Sequence, residues 1–84
     1  MKSLREHYNL NYKVELFDDE RDKTEYRYRL LASYADEVGT SQGVYSLNWF
    51  ATEDDALDAF WTKRDEIDKL NKEFIELNNE EENK

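Results

Sequence analysis

The chain contains no cysteine and no proline, and only two of its 84 residues are glycine. Without cysteine it can form neither a disulfide framework nor a thiolate metal site, so packing alone must hold the fold. The apolar runs are too short to span a membrane, and the first ten residues lack the apolar core of a signal peptide. We therefore expect a cytoplasmic protein with no membrane segment.

Histidine and cysteine, from which triads and Cys–His pairs are built, are also scarce or absent. His7 is the only histidine, no cysteine accompanies it, and no glycine-rich loop is present to hold a phosphate. Catalytic triads, Cys–His pairs and phosphate-binding loops are therefore not expected. The acidic segment at 18–22 lacks the ligand spacing and the glycine of a calcium loop. From these absences we expect no enzymatic activity, no cofactor and no metal site.

Basic residues are few for a chain of this charge. Acidic residues outnumber them by 21 to 12, which gives a formal net charge of −9. A surplus of this size repels nucleic acid at long range and attracts basic surfaces. We therefore expect a protein partner with a basic surface, and direct binding to nucleic acid is disfavoured.

Three segments alternate apolar and polar residues with the period of two that a strand requires. They are predicted as strands at about 10–17, 24–35 and 43–50. The form Ser3-Leu4-Arg5-Glu6 resembles a capping box, so a short helical turn is expected at about 3–8. The residues predicted to share one face in each strand are Leu10, Tyr12, Val14 and Leu16, then Tyr26, Tyr28, Leu30, Ala32 and Tyr34, then Tyr45, Leu47 and Trp49.

The segment after these strands has the period of a long amphipathic helix, predicted at about 53–78. Thr52 stands where it can cap the helix start, and three acids in the first turn suit the positive end of the helix dipole. The acidic tail at 79–84 offers nothing apolar and is expected to fray. The apolar face of the predicted helix is formed by Ala56, Phe60, Ile67, Leu70, Phe74 and Leu77.

These elements predict an α+β fold in one domain, residues 1–84, with the order (α)βββα. A three-stranded antiparallel meander cannot bury its apolar face alone, so the helix is expected to pack across it and leave the other face open. A helix of ~39 Å exceeds strands of ~26 Å. The apolar face at Leu70, Phe74 and Leu77 should project past the sheet, which makes it a candidate for self-association into a homodimer.

The solvent side of the predicted helix carries a line of carboxylates with one tryptophan. An aromatic ring in a charged surface is a common binding anchor, and a solvated helix face is the alternative interpretation of the acids. Trp61 has an alternative of its own, which is packing against Leu57 beneath Leu4 and Tyr8. The candidate partner-binding residues are Asp54, Asp58, Trp61, Asp65, Asp68 and Glu76.

The junction Trp49-Phe50-Ala51-Thr52-Glu53-Asp54-Asp55-Ala56 joins the last predicted strand to the helix. In this order of sheet and helix, the chain from about Leu10 to Asp68 resembles the arm-binding domains of phage tyrosine integrases and plant APETALA-type domains. The resemblance implies an open sheet face that reads DNA, with Lys13, Arg27 and Arg29 as its basic residues. Those families tend to be basic at the helix start, where this chain is acidic.

A second resemblance rests on composition and architecture. A cysteine-free, acidic, aromatic-rich domain of this size is similar to the small inhibitors that phages use against bacterial immunity, including anti-CRISPR and anti-restriction proteins. The resemblance implies DNA mimicry, in which carboxylates occupy a basic nucleic-acid-binding surface of a bacterial defence protein. We therefore hypothesise a non-enzymatic acidic protein-binding module. The alternatives are a small nucleic-acid-binding domain and a self-associating structural or regulatory protein.

Overall fold

The computed structural model describes residues 2–19, 26–36 and 38–82, with side chains described up to residue 76. A four-stranded antiparallel sheet carries one long helix, which confirms the predicted α+β class. The elements are β1 (Lys2–Tyr8), β2 (Tyr12–Asp18), β3 (Tyr28–Ala35), β4 (Ser41–Phe50) and α1 (Glu53–Glu82). The strands lie side by side in chain order. Within the described ranges, no helix is long and apolar enough to cross a membrane.

The expected helical turn at 3–8 is wrong, because these residues form β1, an edge strand paired with β2. A single helical turn is unfavourable on its own, since it orders several residues for one hydrogen bond, whereas β2 offers a full ladder. The Ser3 hydroxyl donates to Glu15 Oε2 at 2.6 Å and does not cap a helix. A bulge between Ser3 and Arg5 hides the alternation of β1 in the sequence. The sheet therefore has four strands and not three.

The strand bounds differ from the expected ones where the chain turns. β2 begins at Tyr12 and not at residue 10, because Asn9 Oδ1 accepts from the amides of Asn11 and Tyr12 at 3.1 and 2.9 Å and forms a turn. The expected start of the next strand, residue 24, lies outside the described residues. The helical backbone continues to Glu82, past the expected end at 78.

The core lies between α1 and one face of the sheet. The Thr52 hydroxyl accepts from the amide of Asp55 at 3.2 Å, so the predicted cap is formed. Around the core, partly buried aromatic side chains of the strands complete the packing. The fully buried apolar side chains at its centre are Val14, Leu16, Leu30, Ala56, Phe60 and Ile67.

The facing of β4 differs from the predicted one. The register with β3 shifts by one residue at Tyr45, and the Tyr45 ring turns to the helix side, 6.1 Å from the ring of Tyr12. Leu47 and Trp49 lie on the opposite, open face, where Trp49 pairs with Arg29. The prediction that Tyr45, Leu47 and Trp49 share one face is therefore wrong, because one extra residue in a strand inverts the facing of those that follow.

The helix is longer than the sheet beneath it. Asn11 Nδ2, in the β1–β2 turn, donates to Asn71 Oδ1 at 2.6 Å, and this contact marks where α1 reaches the end of the sheet. The residues after Asn71 project beyond it, so the described chain is elongated, with extents of 55 × 21 × 15 Å. Phe74 in this projecting half is 49% exposed.

Candidate functional site

Most of the predicted partner-binding acids lie on the solvent side of α1. Asp54, Asp58, Asp65 and Glu76 are exposed, and their spacing places them in one row along the helix. We call these four residues the acidic line. Asp54 and Asp58 form no ion pair among the described residues, and Asp65 Oδ1 lies 3.5 Å from Arg64 Nη2. Asp54 and Asp58 at the start of the acidic line therefore present unpaired negative charge, whereas Asp65 is paired and exposed Lys72 lies in the same row as Glu76.

Asp68 was predicted to belong with these acids, but it turns toward β1. His7 Nε2 and Asn9 Nδ2 each donate to Asp68 Oδ1 at 2.9 Å. Burial raises the pKa of the Asp68 carboxyl, but the hydrogen bonds from His7 and Asn9 and the nearby positive charges outweigh it, so this pKa lies below its ordinary value. Asp68 thus links α1 by hydrogen bonds to β1 and to the turn that follows it.

Trp61 lies between the acidic line and β1 and is 40% exposed. The guanidinium carbons of Arg64 and Arg5 lie 4.7 and 5.2 Å from its ring centroid, within the range of cation–π attraction. Its ring also meets the ring of Phe60 edge-on, at a centroid distance of 5.2 Å. Trp61 is therefore held in place by its neighbours while part of its ring stays accessible.

A cleft of about 340 Å³ opens beside this tryptophan, between β1 and α1. Leu4 lines it, as the packing alternative for Trp61 expected, but Tyr8 lies elsewhere, beside Gly39, where a side chain on Gly39 would come within 3.1 Å of the Tyr8 ring. Within the described residues, no three histidine or acidic side chains come together as metal ligands. The cleft residues are Leu4, Arg5, Glu6, His7, Phe60, Trp61 and Arg64.

The basic residues proposed for DNA reading do not form one surface. Lys13 lies on the open face of the sheet, with its Nζ 3.7 and 3.6 Å from carboxylate oxygens of Glu6 and Glu15. Arg29 lies on the same face, and its Nη2 is 3.3 Å from Asp19 Oδ2. Both cations are therefore already engaged by carboxylates.

Arg27 was expected on the open face with them but lies elsewhere. Its guanidinium forms a two-pronged pair with Asp18, in which Nη2 donates to Oδ2 at 2.8 Å, and Asp18 alternates with Val14 and Leu16 on the face that α1 covers. The hydrogen bond from Arg27, with the charges of Arg27 and Lys2, outweighs burial and holds the pKa of Asp18 below its ordinary value. Arg27 therefore binds at the end of β2, and only Lys13 and Arg29 of the three predicted bases lie on the open face.

Of the residues predicted for self-association, Leu70 lies over the end of the sheet and Phe74 lies beyond it. Leu70 is half-buried, Phe74 is 49% exposed, and the Leu77 side chain lies outside the described residues. Ile75, which was not among the predicted residues, is 37% exposed in the same projecting half. The described part of the projecting half thus shows apolar side chains to solvent.

The contact of Arg5 with Trp61 was also not predicted, because Arg5 was placed in a helical turn. Alternation of Arg5 and His7 along β1 would have indicated it, since both lie on the helix side of the sheet, opposite Leu16 and Val14. In comparisons with known proteins, no family model matches the chain, and neither a curated protein nor a solved structure matches it significantly.

Proposed function

We propose that this protein is a non-enzymatic binding module whose acidic line engages a basic surface on a partner protein. The observation that supports this proposal is a contrast in pairing. Asp54 and Asp58 are exposed and form no ion pair among the described residues, whereas the bases on the open face, Lys13 and Arg29, are engaged by carboxylates. A basic partner can therefore reach Asp54 and Asp58 without first breaking an ion pair.

The partner class that we propose is a nucleic-acid-binding protein, such as an effector of bacterial defence. Asp54 and Asp58 lie ~6 Å apart along a rigid helix, so they hold negative charges at fixed spacing, as a phosphate backbone does. Such charges act mainly by steering the encounter and are screened by salt. On this proposal the carboxylates of the acidic line occupy the positions at which the partner's basic surface otherwise binds the phosphates of a nucleic acid.

Trp61 is the proposed anchor of this surface. Its ring is oriented by Arg5, Arg64 and Phe60, so little ordering is needed when a partner covers its exposed part. A central aromatic anchor contributes on the order of 2 kcal/mol or more to a complex. We expect Trp61→Ala to weaken the complex by that amount, and an affinity measured by calorimetry with the captured partner checks it.

The test compares two triple variants that change the net charge equally. The first, Asp54→Asn/Asp58→Asn/Asp65→Asn, removes three acids of the acidic line. The control, Asp55→Asn/Glu66→Gln/Glu73→Gln, removes three exposed acids from another side of the same helix. Each tagged protein is used to capture partners from a bacterial lysate at low and high salt, and the captured material is challenged with a short DNA duplex.

We expect the control variant to capture the same partner as the unaltered chain, and the acidic-line variant to capture far less of it. We expect the DNA duplex to release the partner, because both compete for one basic surface. Equal capture by the two variants would reject the acidic line as the binding site. Failure of the duplex to release the partner would reject the nucleic-acid-binding surface as its target.

A further inference from the structure

The outer strand of the sheet differs in charge from the rest of the chain. Residues 38–52 contain no acidic or basic side chain, although 39% of the whole chain is charged. This neutral segment includes all of β4, which is the longest strand and lies at one edge of the sheet. Among the described residues no strand pairs with the outer side of β4, so its backbone groups there are open to another strand.

An uncharged open edge is a template for strand pairing, whereas charged edges oppose it. The other edge, β1, carries Lys2, Arg5 and Glu6. Two register shifts interrupt the first part of β4, but Ser46–Phe50 pairs regularly with β3, and five residues is a usual strand length. The regular part of β4 is therefore the stretch that a further strand can join.

We propose that two copies of this chain pair antiparallel through Ser46–Phe50, with Asn48 opposite Asn48 of the second copy. The two sheets then form one continuous sheet, with both helices on the same face. In this register Leu47 of each copy faces Trp49 of the other on the open face. These side chains are 39% and 50% exposed in the single chain. Aliphatic–aromatic pairs stabilise antiparallel sheets, and the two-fold axis forms this pair twice.

The antiparallel arrangement also separates the acidic helix starts of the two copies from each other. A net charge of −9 opposes association. Among the described residues, Asp36 accepts from Gln42 at the start of β4, and the acids of the helix start at 53–55 follow its end. In the proposed register the two Phe50 residues lie ~13 Å apart along the strands and the helix starts leave in opposite directions, which exceeds the screening length of ~8 Å at physiological salt. β4 has no charged side chain with which to recognise a strand of another protein. A second copy of this chain supplies Leu47 and Trp49, which pair with Trp49 and Leu47 of the first.

Because the chain has no cysteine, a single introduced cysteine reports the register. Directly opposed residues of an antiparallel pair have Cα atoms ~4.5 to 5.5 Å apart, which a disulfide can bridge. We expect Asn48→Cys to form a disulfide-linked dimer under mild oxidation with glutathione. The matched control, Ser41→Cys, lies far from the two-fold axis in this register and should remain mostly unlinked.

Light scattering over a concentration series tests the dimer itself. The unaltered chain should reach twice its monomer mass. Leu47→Lys should weaken dimerisation roughly tenfold or more, because the Leu47–Trp49 pair occurs twice in a two-fold dimer and the substitution removes both. Circular dichroism checks that Leu47→Lys is folded, and Leu47→Ser is a second, uncharged variant. The acidic-line triple variant should still dimerise, so failure of the proposed function and failure of the dimer are separate results.

A chain that stays monomeric at every concentration overturns the inference. So does a dimer that survives both Leu47 variants, or one that is lost in Phe74→Ala and kept in Leu47→Lys, since the projecting half of α1 would then be the interface. Equal crosslinking of Ser41→Cys and Asn48→Cys overturns the register.

Discussion

The two halves of α1 share one amphipathic pattern but differ in what covers it. Ile67 and Phe74 lie seven residues apart on the same face of the helix, yet Ile67 is fully buried and Phe74 is 49% exposed. The difference arises because the sheet ends near the contact of Asn11 with Asn71. An amphipathic pattern thus identifies the apolar face of a helix, but the length of the neighbouring sheet decides how much of that face is buried.

The largest expected change in the free energy of unfolding is the difference between truncating Ile67 and truncating Phe74. Ile67→Ala removes a fully buried side chain from the core and should lower the free energy of unfolding by about 2 to 5 kcal/mol. Phe74→Ala removes a side chain that is half in water and should lower it by less than about 1 kcal/mol. Urea denaturation of both variants checks the contrast. Equal losses would mean that the projecting half folds back onto the domain.

An intermediate change in the free energy of unfolding is expected at the junction of the two halves of α1. There the Asp68 carboxylate accepts hydrogen bonds from His7 and Asn9. Asp68→Asn should lower the free energy of unfolding by about 1 kcal/mol near neutral pH, at the low end for a charged hydrogen bond because the carboxylate is half-exposed. The exposed neighbour Asp65→Asn is the matched control and should change stability little.

This effect should also depend on pH. The pKa of Asp68 is lowered in the folded chain, so its carboxylate stabilises the fold while ionised, and this contribution is lost as the pH falls through the folded-state pKa. The difference between Asp68→Asn and the unaltered chain should be full above about pH 5 and should shrink below about pH 4. A difference that grows on acidification would contradict the assigned role.

The smallest expected effect concerns the acidic line. Replacing Asp54, Asp58 and Asp65 by asparagine should change the free energy of unfolding by less than about 0.5 kcal/mol, because lost attraction between Asp54 and the helix dipole is offset by relief of repulsion between Asp54 and Asp58. Thermal unfolding followed by circular dichroism checks this. A large loss of stability would show that these acids support the fold, and their binding role would then need separate proof.

Part of the candidate site was predictable from helical period alone. The period places Asp54, Asp58 and Asp65 on one side of α1, because neighbours along a regular helix are related by its geometry. The departure of Asp68 was not predictable, since its partners His7 and Asn9 lie 61 and 59 residues away in the chain. The ion pairs of Lys13 and Arg29 were not predictable either, because Glu6 and Asp19 come close to them only when β1, β2 and β3 pair.

The residue pattern was enough to predict α1 and the facing of β2 and β3, because the period of each segment matches the backbone geometry it adopts. The strand at residues 2–8 could not be predicted from a local pattern, since β1 obtains its hydrogen bonds from β2 and not from its own residues. The reversed facing of Leu47 and Trp49 likewise depends on the tertiary structure, because the bulge at Tyr45 is set by pairing with β3.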